Sequence, residues 1–212
     1  MSEYGYIPES PAQSWGSNKG IFSPNDIYDL TRDDKFTDYG QLDLIQTLNP
    51  SGVTQVKFED MQENKYNVHL ITYSLTSASD DTIITRLRTG GSYVSTGYAF
   101  ASQWGSAAGT FSEVYGTGQA WLSRAGDATG SGSNERSAGF IYCYNLGDST
   151  KYSFITFQHS GTNNSGGQLM HFGSAVYPTA NVVDGFMFFG YFSANITGTA
   201  SLYGIKAYWY EY

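Results

Sequence analysis

The side chains able to do chemistry are few in this chain and poorly grouped. Three histidines, His69, His159 and His171, are scattered along 212 residues. None has the i, i+4 or paired spacing by which imidazoles share a zinc ion. Each sits in a stretch that reads as strand, where a structural histidine is the plainer expectation. Cleavage of a glycosidic bond needs two carboxyl groups on facing strands, so Glu59, Asp60, Glu113 and Glu135 are the acids to weigh. Glu59 and Asp60 would point to opposite faces of one strand, and Glu135 falls in a Gly- and Ser-rich loop. Glu113, beside Val114 and Tyr115, is placed to line a groove, but it is a single acid. Asp127, Asn134 and Glu135 offer oxygen ligands without the spacing of a calcium loop. Gly116-Thr117-Gly118-Gln119 runs into strand-like Ala120-Trp121-Leu122, where a dinucleotide turn would need a helix. No Gly-x-Ser-x-Gly nucleophile elbow is present. The reading is surface charge: no enzyme, no catalytic residue, no metal and no cofactor are expected.

Stacking is the better chemistry. Trp104, Trp121 and Trp209, with Tyr93, Tyr98 and Tyr115, would either form a platform for sugar rings or fill an ordinary core. Trp104, Tyr115 and Trp121 are the candidate glycan-binding residues. Aromatics make up 17% of the chain and charged residues 14%, the opposite of the balance that keeps chains disordered. A net charge of −8 and a pI of about 4.7 would repel phosphate backbones, so no nucleic acid is expected as partner. No apolar run approaches the ~20 residues of a membrane helix, so no membrane insertion is expected. The N-terminus shows no basic region followed by an apolar signal core, and Cys143 is alone. Both fit synthesis in a reducing cytoplasm. Cys143, in Phe140-Ile141-Tyr142-Cys143-Tyr144, reads as a small buried residue.

Two regions must position these groups. Residues 1–40 read as an extended arm, rich in Gly, Pro, Ser and Asn, that leads into one short helix. Ser23 is its N-cap, Pro24 its first position and Asp26 its third, with Phe22 and Ile27 placed as a hydrophobic staple. About ten helical residues would not stand alone in water. Tyr4, Tyr6, Phe22, Ile27 and Leu30 are therefore expected to dock on a partner. Residues 41–212 read as all-β, with strands near 41–48, 53–60, 66–76, 82–89, 93–102, 111–122, 137–146, 151–159, 169–177, 185–193 and 199–210. That many strands need two packed sheets, and a jelly-roll β-sandwich is the expected fold. Residues 124–136 have three Gly and no large apolar side chain, so a mobile exposed loop is expected there, and 160–167 has the same character. The strand near 185–193 is apolar on both faces, Phe186, Phe188 and Phe192 on one and Met187, Phe189 and Tyr191 on the other. Its second face should meet further protein, from this chain or a neighbour. Phe186, Phe188 and Phe192 are the expected oligomer interface, in a trimer.

Two segments carry a resemblance. Lys19-Gly20-Ile21-Phe22-Ser23-Pro24-Asn25-Asp26-Ile27-Tyr28-Asp29-Leu30, preceded by Ser17-Asn18, resembles an N-terminal element of tailed-bacteriophage virion proteins. Ile196-Thr197-Gly198-Thr199-Ala200-Ser201-Leu202-Tyr203-Gly204-Ile205-Lys206 is similar to the ending of β-sandwich structural proteins of marine and freshwater phages. Together they cover about a tenth of the chain and contain no catalytic residue. The resemblance implies a virion structural protein, a head decoration, neck, tail or fibre component, often oligomeric, with other virion proteins as partners. A host-surface polysaccharide adhesin on the same fold is the alternative, and a glycan-degrading enzyme a more distant one.

Overall fold

The computed structural model describes residues 13–14, 17–18, 24–32 and 42–206. The chain divides into two units, Met1–Gln41 and Leu42–Tyr212. In the first, β1 (Gln13–Ser14) pairs antiparallel with β2 (Ser17–Asn18), and α1 runs Pro24–Arg32. Proline opens α1 because its missing N–H is one the first turn leaves unused anyway. Arg32 closes it with an ion pair to Asp29 at 2.9 Å, cation toward the negative end of the dipole. Ile27 on this helix is 39% exposed. Tyr4, Tyr6, Phe22, the Ser23 cap and the Leu30 side chain lie outside the described residues.

The second unit is a sandwich of two antiparallel sheets. In chain order its strands are β3 (Leu42–Leu48), β4 (Gln55–Phe58), β5 (Val68–Ser77), β6 (Asp81–Thr89), β7 (Ser92–Tyr93), β8 (Tyr98–Ser106) and β9 (Phe111–Gln119). There follow β10 (Arg124–Thr129), β11 (Ser137–Tyr144), β12 (Ser153–Thr162), β13 (Gln168–Tyr177), β14 (Gly185–Gly190) and β15 (Ile196–Ile205). The large sheet has the order β3-β15-β5-β11-β12-β13-β8-β9, and the small one β10-β6-β14-β4 with β7 beside β6. Eight of these strands nest from the outside inward. β3 pairs with β15, β4 with β14, β5 with β11 and β6 with β10, which is the folded-over ribbon of a jelly roll. Two insertions, β7–β9 after β6 and β12–β13 after β11, meet where β8 pairs with β13, and they widen one sheet to eight strands.

The core lies between the sheets, and alternation decides what enters it. Along β12, Ser153, Ile155, Phe157 and His159 are buried while Phe154, Thr156, Gln158 and Ser160 are exposed. From the small sheet Phe58, Leu87, Phe186 and Phe188 meet Ile71, Leu75, Ile141 and Ile155 of the large one. Phe186 and Phe188 are fully buried within one chain, with Phe188 5.0 Å from Tyr73. They present nothing to a neighbour, which corrects their expected interface role. The outward Met187 is also buried, and the Arg86 guanidinium lies 4.4 Å from the Phe189 ring centroid. Phe192 is not in the strand at all. It stands 76% exposed in the turn that carries the chain from β14 in one sheet to β15 in the other.

Arg124–Thr129, expected as mobile loop, is instead the edge strand β10. Ala125 and Gly126 are small where the strand runs close above the large sheet: a Cβ at Gly126 would meet Thr129 Oγ1 and lie 2.9 Å from Ser137 Cβ. A strand chosen for closeness shows no apolar alternation, so the pattern missed it. The second expected loop shrinks likewise, since β12 continues to Thr162.

Asp81 ties the β14–β15 turn to the start of β6. Its buried carboxylate accepts from the N–H groups of Thr82 (2.7 Å), Phe192 (3.0 Å) and Ala194 (3.1 Å). Asp81→Ala is expected to lower folding stability by about 3 kcal/mol, because three backbone donors lose a charged acceptor. Urea unfolding measures this, and a loss under about 0.5 kcal/mol, the range of an ordinary surface change, would show the anchor to be idle.

Candidate functional site

The polar groups that the fold does gather lie on the inner face of the large sheet. Cross-strand register aligns Gly139 (β11), His159 (β12), His171 (β13), Trp104 (β8) and Ser112 (β9) in one row. His159 and His171 are almost wholly buried, with ring centroids 5.2 Å apart. β10 brings Arg124 and Asp127 to the same end of the sandwich, paired at 2.7 Å. A cleft of about 360 Å³ opens there, lined by Trp104 from one sheet and Asp127 and Ala128 from the other.

Burial holds both imidazoles neutral. His159 is pushed down to about 3, first by desolvation and then by electrostatic interaction with His171 and Arg124, which disfavours a second positive charge beside them. Desolvation brings His171 to about 4, with Asp127 opposing and Arg124 assisting. His171 Nε2 is 2.8 Å from Ser102 Oγ, which resembles a nucleophile and its base. The wiring is otherwise. The Ser102 hydroxyl donates to the Val114 carbonyl at 2.9 Å, so its oxygen receives the imidazole proton. His171 Nδ1 has no hydrogen-bond partner, whereas a working base is oriented there by a carboxylate or carbonyl. Neither His159 nitrogen has a partner of hydrogen-bond geometry. This cluster is buried polarity within the core, without the arrangement of an acyl-transfer site.

The remaining candidates are dispersed. His69 is buried with Nε2 2.7 Å from the Met61 carbonyl, and desolvation lowers its pKa. Asp60 accepts the Gln62 N–H (3.2 Å), and Glu135 closes a turn on the Gly132 N–H (2.6 Å). Glu59 and Asp60 follow at the end of β4 in the small sheet, while Glu113 stands on β9 opposite Gln103 of the large one. Asp127 is engaged by Arg124, and Asn134 is exposed in the turn before β11. Among the described residues no group of three or more His, Cys, Asp or Glu is placed to hold a metal ion. None of the described helices is long and apolar enough to cross a membrane. Cys143 is fully buried, and burial pushes its thiol up to about 12.

The aromatic set divides between two faces. Trp121 stacks on Phe100 at 4.4 Å beneath Arg124, and Tyr98 is wholly buried, its hydroxyl receiving the Leu87 N–H at 3.0 Å. Trp104 faces the interior row, and Trp209 lies outside the described residues. Only Tyr115 of the expected trio is on the outer face, so Trp104, Tyr115 and Trp121 do not form one platform. The outer face instead carries Phe140, Phe154 and Phe172, which the sequence reading left unassigned as sites. A groove of about 720 Å³ runs between Tyr115 and Phe154 over a floor of Ala99, Ala101, Ser174 and Val176. The available signal was the apolar character of both faces of β11 and β12, since an outer face facing only water alternates to polar.

No family model matches this chain, and no curated protein matches it in sequence.

Buried His159 and His171 give stability a pH dependence of definite sign, and His69, whose pKa burial also lowers, acts in the same direction. Unfolded imidazoles take up protons below about 6.5, while the folded ones refuse them until about 3 and 4. Between those limits the unfolded state binds more protons, so stability falls as pH drops below about 6.5. His159→Leu is expected to be neutral or stabilising at pH 7 and to flatten part of this acid limb. Urea midpoints from pH 4 to 8 test it, and an unchanged slope would show that His159 does not titrate with unfolding.

Proposed function

We propose that this chain is a non-enzymatic structural protein of a bacteriophage virion. It docks to capsid, neck or tail proteins through residues 1–40 and presents a jelly roll at the particle surface. The fold supports a contact role by analogy alone, since jelly rolls serve viral shells and lectins alike. One observation carries the reading further. His69, His159, His171 and Cys143 are buried within the described strands, while a broad sheet face bearing Phe140, Phe154 and Phe172 remains open to solvent. The residues that resemble phage virion proteins at the chain's end form β15, between β3 and β5, where a structural and not a chemical demand acts on them. In the N-terminal unit, exposed Tyr28 on a nine-residue helix fits a segment that docks on a partner.

Deleting residues 1–40 is expected to abolish incorporation into phage particles while the β unit stays folded. Immunoblots of purified particles and circular dichroism of the truncated chain check both halves. Normal incorporation of the truncated chain would remove the anchor, and absence of the intact chain from particles would overturn the reading as a whole.

A further inference from the structure

The outer face of the large sheet is built as a contact surface over five adjacent strands, β11, β12, β13, β8 and β9. Register places Phe111, Tyr115, Phe140, Phe154, Met170 and Phe172 on this one side. Each is between 37% and 74% exposed. Glu113 is the only Asp, Glu, Lys or Arg in the five strands, in a chain of which 14% is charged. Exposed aromatics with charge removed are the composition of an interface core and not of a wetted surface.

Size and shape point to the occupant. Four strand spacings of about 4.8 Å by about ten residues of 3.4 Å give a face on the order of 650 Å². That is close to the ~800 Å² each partner gives to a standard stable interface. The same face holds both projecting rings, Phe154 and Phe172, and the groove of about 720 Å³ floored by small residues. A two-fold contact uses the same patch on both copies, and this face carries both elements such a contact needs, rings that project and a groove to receive them. The neutrality matters too. Two copies at −8 each repel, and a patch with one carboxylate lets their faces close without stacking like charges.

We infer that this face pairs with the same face of a second copy of the chain, sheet against sheet, Phe154 and Phe172 of each entering the groove of the other. The pairing stands whether or not the chain is a virion component. Because the monomers repel, association strengthens with added salt.

Sedimentation of the full chain from about 1 to 100 µM tests it. The expected mass rises with concentration toward twice the 23.3 kDa of one chain. Phe154→Glu with Phe172→Glu should weaken association about 100-fold or more, as loss of two central aromatics does, with the circular dichroism of the β unit unchanged. Oxidation of Met170 by dilute peroxide supplies the answer without any substitution, because the thioether reacts only where solvent reaches it. In the unaltered chain it should slow as concentration rises. A chain that stays monomeric throughout, or one whose association ignores the double substitution while Met170 reacts at a constant rate, overturns the inference. So does a monomer retained on a neutral polysaccharide resin through Tyr115, which would assign the groove to a glycan.

Discussion

The small sheet has five strands, with β7 a two-residue addition beside β6, and the large one eight, so part of the large sheet's inner surface has no sheet to cover it. A β-sheet must bury one face to be stable, and much of this molecule answers that shortage. β10, at the edge of the small sheet, reaches as far as β11 and β12. Beyond it, Trp121 stacks on Phe100, the Tyr98 hydroxyl ties β8 to Leu87, and Leu122 and Ser123 bond to Thr85 of β6. Loop side chains thus complete a core that the strands alone leave open.

The polar row of His159, His171 and Trp104 lies where that cover thins. Hydrophobic packing there is replaced by neutral imidazoles, a hydroxyl and one ion pair from β10. Unpartnered buried nitrogens of this kind reduce stability, by about 1–3 kcal/mol for a group left unsatisfied, and the wide core of Phe58, Phe186, Phe188 and their neighbours offsets it. The fold gathers these groups by cross-strand register, without the hydrogen-bond arrangement of a nucleophile and its oriented base.

The same widening creates the contact surface. Without the two insertions the large sheet would be four strands, and the face that carries Phe140 would end there. Adding β12, β13, β8 and β9 makes a broad outer face whose strands, except the edge strand β9, are paired on both sides. Glu113 is the one charged residue in its five strands, as the proposed pairing with another surface requires, whereas the other charged residues described lie on other strands and turns. A rigid sheet also presents its rings in fixed register, which limits the entropy lost when they are covered.

Periodicity in the chain was enough to locate most of the strands, to require two sheets and to bury Cys143. Each of those follows from whether neighbouring residues alternate, which is a local matter. Pairing order is not local. β3 with β15 joins residues over 150 positions apart, and nothing in either segment names the other. The same limit hid β10, whose Gly126 is explained by Ser137 lying against it. It also misplaced Phe186 and Phe188, because an apolar two-faced strand reads alike at an interface and at the centre of a fold. Residue type states that a surface must be covered; only tertiary packing decides what covers it, since that depends on which distant strands arrive alongside.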